Sequence, residues 1–372
     1  MAGQLAPADT RSGRLMSVDA LRGFDMFWIV GADQIVRALN TVSPTGFVNF
    51  LVAQLTHKDW EGVTFYDLIF PLFVFIVGVS LVFALSRTIE REGKRVAYKR
   101  IIVRSLLLFL LGVFYNGGLA GGVEKIRLLG PLQRIALSYL VASLLFCSVK
   151  LRGMIITCIA LLVGYWALMT FVPVPGMGAG SFQEGANLAN YIDRQFLPLR
   201  KWDGDHDPEG LLSTLPAIAT CLLGVFAGLL LKNRSITDRK KVLWLLASGV
   251  AGVALGFLWS VQFPLVKKIW TSSYVLLTGG YSAILLAAFY QIIELWGRRK
   301  WAMPFVWIGM NAIAIYMTYN IVSVPRIAGR VVGGPVKEMF GIYGDVTITI
   351  AVLGLGIMFA WFLYHRKIFL RL

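Results

Sequence analysis

His57 opens the run His57-Lys58-Asp59-Trp60-Glu61-Gly62-Val63-Thr64-Phe65-Tyr66-Asp67, which sets an imidazole and several carboxylates in one short stretch. An imidazole titrates near neutral pH, so it can take a proton from a nucleophile and return it to a leaving group. A carboxylate on its other ring nitrogen would fix the tautomer, and Asp67 or Asp33 could do so if the segment folds back. By spacing alone, the plainer reading of a loop histidine is that it faces solvent. The other two histidines are placed less suggestively. His206 lies in the acidic turn Trp202-Asp203-Gly204-Asp205-His206-Asp207-Pro208-Glu209, and His365 stands beside basic residues near the end of the chain.

Other polar residues fall where an apolar chain would not spend them. Arg134 opens one apolar segment, where it can pair with an acid or hold a phosphate or carboxylate. Asn311 lies within another and can bond a neighbouring helix or donate to an oxyanion. Ser272 and Ser273 open a third. Asp19, Arg22 and Asp25 sit inside the first. Ionisable groups within a membrane bundle are costly and mark functional sites by default. The alternation of Asp203, Asp205 and Asp207 is reminiscent of a calcium loop, but the Gly and closing Glu are not at the required positions. Asp207-Pro208-Glu209 suits a helix entry, and no metal is expected.

The elements that must carry these residues are helices. The runs 68–86, 105–123, 210–231, 242–266, 269–293, 301–325 and 346–364 contain no Asp, Glu, Lys or Arg. Each approaches the ~20 residues that cross a hydrocarbon core as a helix. Segments near 131–149 and 154–172 add two more, and 17–38 adds a charged first one, for about ten spans. The chain is 57% hydrophobic and 15% charged, against about 25% charged in a soluble domain. The net charge of +16 would suit nucleic acid, but its placement argues otherwise. With both termini cytoplasmic, Arg11, Arg14, the cluster Arg87 to Arg104 and the other basic connections put the whole excess inside, and the outer segments balance. The expectation is an all-α integral membrane bundle, residues 1–372 forming one domain, with a polar set gathered in its outer half. No cleavable signal peptide is expected. Cys147, Cys158 and Cys221 read as small core residues.

Several motifs resemble one family. Ser17-Val18-Asp19-Ala20-Leu21-Arg22-Gly23 is similar to the opening of the heparan-α-glucosaminide N-acetyltransferases and their bacterial membrane relatives. The run from His57 to Gly78 resembles that family's H-x-x-W-x-G stretch and the D-L-x-F-P segment after it. Leu132-Gln133-Arg134-Ile135-Ala136, Asp207-Pro208-Glu209-Gly210, Lys268-Ile269-Trp270-Thr271-Ser272-Ser273 and Gly309-Met310-Asn311-Ala312 follow in family order. The resemblance implies an acetyl-CoA-dependent acyltransferase that moves acetyl from the cytoplasmic side to the amine of a terminal glucosamine on the far side, with His57 as its catalytic histidine. A family asparagine in the outer part of the first helix aligns with Asp33 here, a departure that leaves the role of this position open.

The resulting expectations are specific. His57 acts as general base or transient acetyl carrier, supported by Asp33, Asp67 and Asn311. Arg22, Arg134, Ser272 and Ser273 attend the cofactor, and Trp60, Asp207 and Glu209 the sugar. The partners are acetyl-CoA, an amino sugar or glucosamine-terminated saccharide and the lipid bilayer, with room for a homo-oligomer and no nucleic acid. The location is a bacterial inner membrane. Two other readings compete: an O-acyltransferase of envelope polysaccharide, and a secondary transporter without acyl-transfer chemistry.

Overall fold

The computed structural model describes residues 15–369, so the basic residues Arg11, Arg14 and Arg371 lie outside the described residues. Among the described residues the chain is helical, with only isolated β-bridges between loops. The helices are α1 Met16–Phe27, α2 Asp33–Val42, α3 Gly46–Gln54, α4 Ile69–Glu92, α5 Lys94–Tyr115, α6 Pro131–Ser148, α7 Leu151–Phe171 and α8 Leu188–Phe196. They continue with α9 Thr214–Lys232, α10 Asp238–Ser260, α11 Ser272–Tyr290, α12 Met303–Met310, α13 Ala312–Ile321, α14 Val324–Val332, α15 Pro335–Met339 and α16 Gly344–His365.

Seven helical stretches, built on α4, α6, α7, α9, α10, α11 and α16, are long and apolar enough to cross a membrane. The pair α12 and α13 makes an eighth if taken as one span bent by 68°. The protein is therefore a polytopic integral membrane protein. Burial sorts the layers: 72% of the apolar window of α4 is buried and 67% of that of α9, against 22% for α10 and 28% for α7. So α4 and α9 form the centre. α7 and α10 turn Ile156, Ile159, Leu243 and Leu258 outward, as lipid-facing helices do.

Glycine sets how closely the central helices meet. A Cβ on Gly224 of α9 would lie 1.9 Å from the Phe75 carbonyl oxygen of α4, and one on Gly78 2.0 Å from that of Cys221. Gly23 of α1 and Gly309 of α12 do the same for that pair, with Asp19 O 1.9 Å from a Cβ on Gly309. Small residues at such crossings let backbones touch, which is how helices associate where lipid removes the hydrophobic drive.

Three of the expected spans are interrupted. The run 105–123 ends as helix at Tyr115, because Gly117, Gly118 and Gly122 adopt positive φ in a turn. The run 301–325 is broken at Asn311, expected within a helix, whose ψ of 31° is not helical. The first segment runs from α1 into α2 through a π-helical turn, Trp28–Ala32, with Gly31 at φ 119°. Such turns inside helices recur at functional sites.

Candidate active site

Thr64 and Asp67 close a capping box on the short turn Phe65–Leu68 that leads into α4. The Asp67 carboxylate is fully buried, and Oδ2 accepts from the Thr64 amide (3.1 Å), the Thr64 hydroxyl (3.0 Å) and the Lys58 amide (3.2 Å). Its Oδ1 faces His57 Nδ1 at 2.7 Å and Lys267 Nζ at 3.2 Å. Donors on both oxygens leave no place for a carboxyl proton, so His57 Nδ1–H donates and Nε2 carries the lone pair. The imidazole lies against the Tyr66 ring, centroids 4.7 Å apart, and its side chain is 50% exposed. A base must be held yet reachable, and this residue is both.

Lys267 comes from the connection between α10 and α11. Gly62 N donates to Leu265 O at 2.9 Å, beside a bridge between Glu61 and Val266, and this pins the two segments together. Its Nζ stands 2.8 Å from His57 Nδ1 and 3.2 Å from Nε2. Burial holds the Lys267 ammonium's pKa below the ordinary lysine value, while Asp67 and Glu209 pull the other way.

Two cavities meet at this imidazole. The inner one, about 260 Å³, is lined mainly by apolar side chains such as Met26, Ile29, Phe70, Phe73, Leu132 and Ile313. The outer one, about 360 Å³, is lined by Lys58, Asn116, Arg127, Trp202, Asp203 and Lys268. His57, Lys267, Glu209, Pro131 and Tyr316 belong to both walls. An apolar chamber and one bordered by several charged side chains share His57 in their walls.

Arg127 organises the outer chamber. It is 5% exposed and grips Asp207 with both arms of its fork, at 2.8 and 2.7 Å, and Glu209 at 2.6 Å. Its guanidinium lies 4.9 Å from the Trp202 ring centroid. Burial opposes this charge, but the two carboxylates outweigh it and raise the Arg127 pKa above the ordinary arginine value. Burial also raises the Glu209 pKa, against the pull of Arg134 and Arg127.

The structure separates the residues singled out in the sequence. His57, Asp67 and Glu209 converge. Asp33 bonds Arg37 (3.3 Å) and Gln34 (3.0 Å) rather than the imidazole, and Arg37 in turn reaches the Leu55 carbonyl at the end of α3. Asp207 is committed to Arg127 and the Trp202 amide. Trp60 donates its indole N–H to Phe182 O at 2.9 Å. Arg134 is 1% exposed, bonds Ser213 Oγ at 2.5 Å and lies 4.8 Å from the Trp270 ring centroid. Ser272 and Ser273 are fully buried and donate to the Leu162 and Phe263 carbonyls, within the packing of the bundle. Asn311 donates to Ile368 O at 3.1 Å. Arg22 bonds Asp19, the Gly309 carbonyl and Ser80 in the crossing of α1 with α12 and α4.

The family model for the catalytic region of heparan-alpha-glucosaminide N-acetyltransferase matches residues 14–258. The chain belongs to this family. The human heparan-alpha-glucosaminide N-acetyltransferase is 28% identical over 99% of the chain, and the mouse enzyme of the same name 27% over 84%. The chain spans 62% of the length of the human relative and 54% of the mouse one. Within the family match lie His57, Asp67, Arg127, Asp207 and Glu209, and beyond it lie Lys267, Ser272, Ser273 and Asn311. Lys267 and Arg127 were not singled out in the sequence. Lys267, adjacent to Lys268 at a helix entry, reads there as an interfacial anchor, and its only distinguishing signal is a position directly before the Lys268-to-Ser273 motif.

Proposed function

We propose that the protein transfers acetyl from acetyl-CoA to the amine of a glucosamine-type sugar at the junction of the two cavities. The observation that carries this reading is the His57–Asp67 pair, 2.7 Å apart, with His57 in the shared wall of an apolar chamber and one bordered by charged side chains. The acetyl-pantetheine end suits the apolar chamber, and a sugar suits carboxylates and indoles. Asp67 keeps Nδ1 protonated, so Nε2 takes the proton as the amine nitrogen attacks the thioester carbonyl carbon. The tetrahedral oxyanion needs a donor, and Lys267 Nζ is the cation at hand. The C–S bond then breaks, and the thiolate takes the proton back from the imidazolium. Arg127 sets Glu209 at the sugar's side.

In the membrane, α5 and the kinked α1–α2 unit join the eight apolar spans to make ten, with both termini cytoplasmic, as the basic connections favour. The membrane is a bacterial inner membrane. CoA approaches from the positive side, where Arg22 lies at the cytoplasmic half of α1.

The test uses purified protein with radiolabelled acetyl-CoA and glucosamine. His57→Ala should lower the transfer rate by about 10²–10⁴. A rate equal to the parent's removes His57 from the chemistry. Free CoA must appear with N-acetylglucosamine; sugar movement across vesicles without CoA release would establish the transporter reading instead.

A further inference from the structure

A second histidine stands on a carboxylate 2.7 Å away, and no step above uses it. His206 Nδ1 meets Asp205 Oδ1 at that distance, and Asp205 is held in turn by Arg194 at 2.7 Å. The residue is only 4% exposed, and its Nε2 has no hydrogen-bond partner. Two carboxylate oxygens from separate turns of the outer region lie near that nitrogen. Glu184 Oε1 is 3.6 Å away and Asp203 Oδ2 3.8 Å away. The three ligand atoms lie within 4.8 Å of one another.

These separations have a simple geometric meaning. Donors bound at about 2.0–2.2 Å around a tetrahedral cation sit about 3.4 Å apart. The His206 distances are a few tenths of an ångström longer, within the reach of one side-chain adjustment. The carboxylate on Nδ1 is the arrangement by which a metal-bound histidine is oriented and made more basic. One imidazole and two carboxylates suit a borderline first-row cation better than calcium or magnesium, which take oxygen alone. The calcium-loop resemblance in the sequence is therefore misleading in its membership. Asp205 serves behind the histidine and Asp207 belongs to Arg127, while Glu184 enters from a different loop.

A positive charge already occupies the mouth of this cluster. Lys268 Nζ is 2.8 Å from Glu184 Oε1 and 3.1 Å from Asp203 Oδ2. The ammonium neutralises the acids, and no hydrogen bond joins it to His206 Nε2. Lys268 also lines the outer cavity, with Nζ 6.0 Å from the Trp60 ring centroid, so it has somewhere to go.

We propose that His206, Glu184 and Asp203 form a site for a first-row divalent cation such as zinc, which joins two outer segments and turns Lys268 toward the outer cavity. Water completes the coordination. Loading exchanges an ammonium for a dication on the same two carboxylates and moves the ammonium to the chamber that takes the acceptor.

The experiment measures zinc bound per chain by full-length protein without a polyhistidine tag, in detergent, after chelator treatment and equilibrium dialysis. The expected result is one stoichiometric zinc at micromolar concentration. Glu184→Gln, at an exposed position that does not threaten folding, and His206→Gln should lose it. Asp205→Asn should weaken it about 10–100-fold. Lys268→Gln should tighten it, because the competing ammonium is gone. A parent protein that holds no zinc overturns the proposal. So does Glu184→Gln protein that melts like the parent and still holds as much, or Lys268→Gln protein whose affinity falls.

Discussion

His57 and His206 share one motif, an imidazole Nδ1 at 2.7 Å from an aspartate, and differ in which partner is buried. At His57 the acid is sealed and the ring is half exposed. At His206 the ring is sealed, with 6% of its side chain exposed, and the acid is 47% exposed. A sealed acid cannot trade its hydrogen bond for water, so it fixes tautomer and direction while the outer nitrogen meets substrate. A sealed ring meets no substrate, and its outer nitrogen can serve only what fits between Glu184 and Asp203. On the readings proposed above, the same pair of side chains makes a proton carrier in one place and a ligand set in the other.

The largest expected break in this comparison comes from the aspartates. In Asp67→Asn the amide can still cap Thr64, but its NH₂ cannot accept from His57 Nδ1 if its oxygen does so for Thr64. The ring then loses its tautomer, and the acetyl-transfer rate should fall about 10²–10⁴-fold. Asp205→Asn should change transfer by less than about 10-fold, because exposed pairs contribute little and His206 stands away from the cavity junction. Both rates can be read in one assay with radiolabelled acetyl-CoA. Equal losses in the two variants would mean that burial of the acid does not distinguish the pairs.

How much of this was legible in the sequence depends on chain distance. His57 and Asp67 lie in one outer segment, so a turn suffices to join them, and both were visible together. Lys267 meets His57 from 210 residues away, and Arg127 meets Asp207 from 80. Nothing local marks such pairs, and a lysine at a helix entry looks like any interfacial anchor. The apolar helices were legible because charge cannot be afforded on lipid-facing surface. α5 was harder, since Lys94, Lys99, Arg100 and Arg104 crowd its first half. The roles of Asn311, Ser272 and Ser273 in the sequence followed from their type alone. Buried hydroxyls in helices often bond the nearest carbonyl, as Ser272 and Ser273 do, and Asn311 occupies a helix break that its neighbours do not announce.

The second expected effect concerns the cation at the exposed ring. Lys267 Nζ stands 2.8 Å from His57 Nδ1, close enough to steady charge that develops at the reacting carbonyl. Its removal by Lys267→Met should lower the transfer rate by about 10–100-fold, while KM for the sugar changes little. A lysine that only packed between loops would alter the melting temperature and leave the transfer rate in place. Lys268→Met is the paired control, because its ammonium sits on Glu184 and Asp203 rather than on an imidazole. The transfer rate should fall much less there.

The smallest effect tests the exposed acid itself. The hydrogen bond from His206, with a further pull from Arg194, holds the Asp205 pKa below the ordinary carboxylate value. A carboxylate depressed in the folded state binds fewer protons there than when unfolded, so its contribution is present above the unfolded value of about 4. It is lost as pH falls through the lower folded value. Asp205→Asn should therefore melt slightly below the parent at pH 6, by well under ~1 kcal/mol for so exposed a pair, and the two should converge near pH 3. Asp193, whose pKa burial raises, has the opposite sign: its contribution declines as pH rises from about 4 toward that raised value. Thermal unfolding of both asparagine variants across pH 3–7 reads the two slopes directly. If the Asp205→Asn gap widened on acidification, the exposed carboxylate would not be the charged partner that holds His206.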